Sequence, residues 1–279
     1  MIVVLKGADF SANNIGKIEV SRELDVKTKQ LLSRYSKVLD TSKQYAVDDF
    51  VTGLYDNGLA DKITCLLLPC LSSSIDEAMI NAMNGDSMGQ LNSNYWLLRN
   101  NGLVQTSMTY DTAEAITRIG AYVDVPINNS HYAVFNSESY EYTNTTTDTA
   151  KQFPTRRNAR ATFYDNMTSG SGSSWLNGCK YGGVAISASD SEFVFGVQQF
   201  HQINLNGDTL RVKHGEGDID SVVSETSFPA THIDAISICG NGNNGNKAHA
   251  LYSFGFSMTD EEQTVYARLV SELMGVLLS

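Results

Sequence analysis

Three acidic residues in the stretch HGEGDID, Glu216, Asp218 and Asp220, fall two apart. On an extended strand that spacing puts all three carboxylates on one face. Such a pair can cleave a glycosidic bond, one group acting as nucleophile and the other as general acid. Gly217, however, stands between the first two where a large apolar side chain would hold a strand, and HGEG itself reads as a turn. A solvated hairpin is the expectation, and no catalytic residue is nominated.

A second stretch, NGDSM at Asn84 to Met88, resembles the nucleophile block of GDSL esterases, which would give Ser87 a nucleophilic role supported by a downstream Asp and His. That block belongs after the first strand of an α/β domain, whereas here it follows a short helical pattern inside a β-rich chain, so a Gly-Asp turn is expected. His131, His201, His214, His232 and His249 are isolated, with no HxH or HExxH spacing, and a metal site is not expected. Cys65, Cys70, Cys179 and Cys239 lack paired CxxC spacing and read as buried reduced thiols in strands. GNGNNGNK, Gly240 to Lys247, offers Asn and backbone oxygens to calcium but no carboxylate, which favours a plain turn. No cofactor is expected.

The aromatic residues give the stronger binding signal. Sugar rings stack their C–H faces on Trp and Tyr while Asn, Asp and Ser bond the hydroxyls. Trp175, in GSGSSWLNG, is a large ring in a polar stretch, and Tyr140 and Tyr142, in ESYEYTN, share one face if that segment is extended. These three are the candidate ligand-binding residues. The competing reading has Trp175 folding back as a core plug and the tyrosines packing between sheets.

Those residues must be positioned by 279 residues that carry a net charge of −11. Residues 1–62 balance 9 Lys and Arg against 9 Asp and Glu, so the deficit lies wholly in residues 63–279. An acidic body repels phosphate backbones, and RRNAR at Arg156 to Arg160 is too short to offset that, which argues against nucleic-acid binding. MIVVLKGADFS is too short in apolar residues for a signal-peptide core and no later run approaches bilayer length, so a protein made without a cleaved signal and without membrane insertion is expected.

SRELDVKTKQLLSRYSKVLD repeats apolar residues at helical steps through Leu39, which predicts one amphipathic helix. VDDFVTGLYDNGL predicts a second, started by Asp48 and Asp49 and stopped by Asn57-Gly58. Ahead of both, GADFSANNIGKIEV reads as an arm. ITCLLLPCL is strand-like up to Pro69, and SSSIDEAMINAMNG predicts a short helix with Ser74 and Glu77 in capping-box spacing. NYWLLRNNGLVQTSM predicts a hairpin turning at Asn101-Gly102. AITRIGAYVDVPI, HYAVFNSESYEY, GGVAISASD, SEFVFGVQQFHQINL, DTLRVKHG, IDAISICGNG and LYSFGFS continue the β series, while TNTTTDTAKQFPTRRNAR and YDNMTSGSGSSWLNG read as loops. The chain closes on a helix with Thr259 and Glu262 as a capping box and an apolar stripe from Val265 to Leu277. The expected organisation is an arm and helical pair over residues 1–62, then an antiparallel sandwich over 63–279 closed by a helix at 259–277.

The ending FGFSMTDEEQTVYARLVSELM is similar to the carboxy-terminal segment of a group of tailed-phage structural proteins, many from phages of gut Bacteroides, including crAss-like phages. GADFSANNIGKIEV, the KTKQLLSRYSK helix and FVTGLYDNGLADKITCLLLPCL resemble the amino-terminal half of the same group. The resemblance implies a concanavalin A-like jelly roll in a non-enzymatic virion structural protein, a head fibre or tail appendage. It implies other virion proteins and further copies of the chain as partners, with contact to a host surface glycan as a subsidiary expectation. A lectin-like carbohydrate-binding module, or less favourably a jelly-roll glycoside hydrolase, is the alternative.

Overall fold

The computed structural model describes residues 22–88, 96–105, 125–138, 151–155, 162–168, 174–181, 184–190, 198–224, 227–228, 230, 232–233 and 248–279; for the strands within 151–190, for 232–233 and for Gln105 and Gln199 only the backbone is described. The arm, Tyr140, Tyr142, Cys239 and Gly240 to Lys247 lie outside these residues.

Helix α1 (Val26–Leu32) starts at Asp25, whose carboxylate accepts the Lys27 N–H, and stops well short of the predicted Leu39. Beyond the turn at Ser33 and Arg34 the chain has no regular structure up to Asp40, and its side chains find partners across the molecule: Lys37 donates to the carbonyl of Cys70 and to Asn101 Oδ1, each at 2.8 Å. Tyr35 and Leu39, which looked like a continuing helix stripe, are buried from this irregular segment. Helix α2 (Thr41–Asp56) begins earlier than predicted, at Asp40, which caps the Lys43 N–H. Asp48 is mid-helix and accepts the Asp25 N–H at 2.8 Å while facing Arg22 at 3.3 Å, so it ties the two helices together. The expected stop at Asn57-Gly58 is present, with Gly58 at φ 69°.

Strand β1 (Ile63–Leu67) ends before Pro69, which opens a single 3₁₀ turn holding Cys70. Cys65 in the strand and Cys70 in the turn are both buried and free, and burial pushes each thiol up to about 12. Helix α3 (Ile75–Ala78) is capped by Ser74, but the carboxylate of Glu77 accepts the N–H groups of Ser73 and Ser36.

Hairpin β2 (Trp96–Arg99) and β3 (Gly102–Gln105) turns one residue earlier than predicted, on Asn100 and Asn101, both at positive φ. Gly102 answers a different need: a Cβ there would sit 2.7 Å from the His249 nitrogen. The remaining strands are β4 (Val125–Pro126), β5 (Asn129–Asn136), β6 (Lys151–Thr155), β7 (Thr162–Thr168), β8 (Ser174–Tyr181), β9 (Val184–Asp190), β10 (Gln199–Asn206), β11 (Thr209–His214), β12 (Ile219–Val223), β13 (His232–Ile233) and β14 (His249–Gly255). KQFPT, YDNMT and SWLNG, from the predicted loops, are therefore strands. Their Thr, Asn and Ser are carried because β7 and β8 pair without a break from Thr162↔Lys180 to Thr168↔Ser174, which satisfies the backbone whatever the side chains.

The large sheet runs β12-β11-β10-β5-β14-β3-β2, with β1 also on β14, and every pairing is antiparallel. A four-stranded sheet, β6-β7-β8-β9, lies against β10, β11 and β12, and β4 pairs with β13. The fold is mainly β, an antiparallel jelly-roll sandwich of the concanavalin A-like type with helices added. Two cores flank the large sheet. Tyr132, Val134, Ile203, Leu210 and Phe254 point into one. Ala133, Phe135, Phe200 and Leu251 point into the other, which the helices fill.

Helix α4 (Asp260–Leu277) covers that second face. Its capping box is formed as the sequence predicts, Thr259 accepting the Glu262 N–H and Glu262 accepting that of Thr259 at 2.7 Å. Arg211 on β11 meets Asp260 at 2.7 Å and so fixes the helix start over the sheet. Its apolar stripe docks within the chain, on the sheet and on α2, where Gly53 lets Leu269 approach. Beneath it runs a polar row. Gln202 donates to Met258 Sδ at 3.2 Å, Asn204 bonds both backbone groups of Met258, and His131 lies edge-on to Tyr266. The Phe256 carbonyl, 2.8 Å from His131 Nδ1, can only accept, so Nδ1 carries the proton and Nε2 accepts from the Ser253 hydroxyl at 3.1 Å. Burial pushes His131 down to about 4, against the opposing carbonyl bond and with a small push from Lys62.

Two predictions follow from packing. A Cβ on Gly255 would lie 1.9 Å from the Lys62 carbonyl oxygen, backbone against backbone, so Gly255→Ala should lower stability by ~3 kcal/mol in urea unfolding. Gly275→Ala, with nothing within 4 Å, should raise it by ~0.5–1 kcal/mol through helix propensity. His131 generates the pH prediction. Between pH 6.5 and about 4 the unfolded chain takes a proton that the native site refuses, so stability is full above 6.5 and falls as pH drops through that window. The loss attributable to His131 should approach ~3 kcal/mol, read as the part of the urea-midpoint decline that disappears in His131→Gln.

Candidate functional site

One end of the large sheet gathers the polar residues. β5 leaves there after Asn136, β14 enters at His249, β10 enters at Gln199, and β11 turns into β12; in register, Asn136 lies between Gln199 and His249. The β2–β3 turn closes the same end, since His249 pairs with Leu103. Antiparallel pairing therefore dictates that the segments following Glu138 and preceding Gln198 and Ala248 all join the sheet at this end. Two of the three candidate aromatic residues, Tyr140 and Tyr142, come directly after Glu138 in the chain.

Glu138 organises this end. Its carboxylate takes both the Nε and Nη2 protons of Arg99 at 2.7 Å, a bidentate pair, and accepts further bonds from the Asn100 amide and the Ala248 N–H. Burial alone would raise its pKa, but Arg99, Asn100 and Ala248 outweigh it and hold the carboxyl below its ordinary value. So engaged, Glu138 is a strap joining β5, β14 and the hairpin, and its carboxylate is not free to act as an acid or base. Ser137 reinforces the joint, its N–H donating to the Ala248 carbonyl at 2.9 Å while its own carbonyl accepts from Gln198.

Three of the histidines lie near this end, all buried: His201, His214 and His249. His249 Nδ1 is 2.6 Å from the Tyr252 hydroxyl. His201 and His214 are cross-strand neighbours with ring centroids 4.4 Å apart at 86°, an edge-to-face stack. Among the described residues no group of three or more His, Cys, Asp or Glu is arranged to hold a metal. His131 and Ser253 form a Ser–His pair, but both are buried under α4, away from any substrate.

The acidic triplet does not share a strand face. Gly215 is at φ 51°, the Gly217 N–H donates to the His214 carbonyl at 3.0 Å, and Lys213 folds over to the Gly217 carbonyl, so Glu216 and Asp218 sit exposed in a turn and only Asp220 belongs to β12. NGDSM is the expected turn as well: Gly85 is at φ 87°, and Asn84 accepts the Asp86 N–H at 3.0 Å. Trp175, expected in a loop, is the second residue of β8, paired with Met167 and Asp190 on the four-stranded sheet. It thus belongs to a different sheet from the strand that leads to Tyr140. The gathered sheet end was not visible from the sequence, since each contributor looks like an ordinary strand terminus until the pairing order is known. No helix among the described residues is long and apolar enough to cross a membrane.

No protein-family profile matches the sequence, and no curated protein matches it. Solved structures do. The binding domain of Paraclostridial Mosquitocidal Protein 1 matches with a TM-score of 0.51 at 10% identity over 75% of this chain, which spans about half, 52%, of that one. Domain 4 of AbnA, a GH43 extracellular arabinanase from Geobacillus stearothermophilus, gives 0.45 at 11% identity, over 74% of this chain and 98% of that chain. The Bacillus licheniformis β-glucanase gives 0.38 at 11%, over 63% and 88%. At such identities the likeness is one of fold.

Proposed function

We propose that the chain is a non-catalytic structural component of a tailed-phage virion, a head fibre or tail appendage protein, whose sandwich meets host surface glycans at the gathered end of its large sheet. The observation behind the glycan contact is the Glu138 strap at that end, from which the chain continues in sequence to Tyr140 and Tyr142. Loops held on a rigid sandwich are where binding sits, and tyrosines beside Asn and Ser suit sugar rings. The virion role rests on the resemblance of both chain ends to tailed-phage structural proteins. Its partners are then other virion proteins and further copies of the chain. Support for a non-catalytic reading comes from the placement of Glu216 in a turn and the engagement of Glu138 with Arg99. Domain 4 of AbnA was solved in complex with arabinotriose, so a sugar is bound in at least one solved structure that resembles this chain.

Antibody against the protein should decorate purified phage particles in immunogold electron microscopy, and absence from particles would leave only a free lectin-like module. On a glycan array the wild type should retain defined glycans, with binding weakened about tenfold or more in Tyr140→Ala and in Tyr142→Ala, the loss of one stacking ring each, while Trp175→Ala, on the other sheet, should bind as the wild type does. Release of reducing ends from an array glycan would sink the non-catalytic reading, and release that survives Glu216→Gln would also clear the one acid of HGEG.

A further inference from the structure

Away from the sheet end, α1, α2 and the turn after Asn81 enclose an open pocket. The space between its walls, counted out into the open solvent at the mouth, is about 400 Å³. The floor is apolar, made by Leu31, Leu54, Leu66 and Met83. The rim carries two cations and no carboxylate, although the whole chain has a net charge of −11.

Both cations are held in place. Lys27 Nζ lies 3.4 Å from the centroid of the Tyr55 ring, a cation–π contact that fixes the ammonium without neutralising it. Arg34 donates Nη1–H to the Ala82 carbonyl at 2.7 Å, and its guanidinium lies against Gly85, where a Cβ would come within 2.9 Å of Nε. A carbonyl takes one proton and none of the charge, so the guanidinium keeps its positive charge and further donors. Neither Lys27 nor Arg34 meets a carboxylate among the described residues. Beside Lys27, Val26 is 62% exposed, and Tyr55 at the rim is 40% exposed, so the surroundings of the mouth are apolar too.

We propose that this pocket docks a short acidic segment of a partner protein, which seats one apolar side chain on the Leu31–Leu66 floor and sets its carboxylates on Lys27 and Arg34. Charge complementarity selects the occupant. A neutral apolar segment would leave two desolvated cations at the rim without anions, and a polyanion lacking an apolar group would leave the floor empty. The site is independent of the glycan contact, lying on the helical layer and not at the sheet end.

The test uses the full chain and an N-acetylated, C-amidated Glu-Asp-Leu-Glu-Asp peptide, titrated by calorimetry and by methyl NMR. Binding should shift the methyl resonances of Leu31, Leu54 and Met83, weaken tenfold or more when the acids are replaced by Gln and Asn, and weaken similarly when Leu is replaced by Ser. Lys27→Glu, at an exposed position that leaves the fold intact, should abolish it, while Arg268→Glu, the same charge change on α4, should not. Equal binding of the neutral peptide, equal binding of the Ser peptide, indifference to Lys27→Glu, or retention by phosphatidylserine vesicles in place of the peptide would each overturn the proposal.

Discussion

Strand β14 is buried along its whole length, and the architecture hangs on the way it serves two cores at once. Tyr252 and Phe254 point to the sandwich interior while Leu251 and Ser253 point under α4, an alternation that a one-residue slip would invert. β5 holds one edge of this strand, and β3 and β1 divide the other. Room for the third partner comes from Gly255, where the backbone of Lys62 passes against β14 and its carbonyl accepts the Phe256 N–H at 2.8 Å. The short link from that point to Thr259 then leaves α4 little choice of where to begin.

From this strand the helical layer follows. Because α4 must cover the face carrying His131, Gln202 and Asn204, the polar groups there need partners inside the protein, and Met258, Phe256 and Ser253 supply them for His131, Asn204 and the Gln202 amide nitrogen. An apolar face would give more hydrophobic burial, but the Asn204–Met258 exchange fixes the position of the helix start, as does Arg211 on Asp260. α2 packs on α4 in turn, and Asp48 binds α1 to α2. Position is thus passed from one strand outward through specific polar contacts, with the apolar stripes supplying the bulk of the burial.

The parts legible in the sequence are those whose signals are local. α4 could be drawn almost to the residue, since a capping box and a stripe sit within its own span, and Pro69 ended β1 by removing an N–H. Where distant contacts decide, the reading failed. Leu31, Tyr35 and Leu39 have helical spacing, yet the helix ends at Leu32 and Lys37 bonds the Cys70 carbonyl and the Asn101 amide oxygen, partners 33 and 64 residues away in the chain. Polar β7 and β8 looked like loops because their pairing is with each other and not with an apolar core pattern. Gly102 invited a turn placement that belongs to Asn100 and Asn101, because its real constraint, the approach of His249, lies 147 residues away in the chain. The sheet end has the same character: Glu138, Asn100 and Ala248 meet only after the strand order β5-β14-β3 is set.

The chain's helices spend their apolar faces on its own sheet, and that has consequences for assembly. An amphipathic helix whose stripe is already buried cannot also serve as a broad docking surface, as a helix in a groove would. Under the proposed virion role, attachment to neighbours would use features left over once the core is satisfied, such as the pocket between α1 and α2 or the edge strand β2. These are small, specific contacts in place of one extensive apolar interface. A repetitive particle can still be held by them, because many weak contacts repeated by symmetry act together where a single one would not. The helical layer lies on one face of the large sheet and the Glu138 strap at its end, so the two contacts proposed above fall on separate parts of the sandwich.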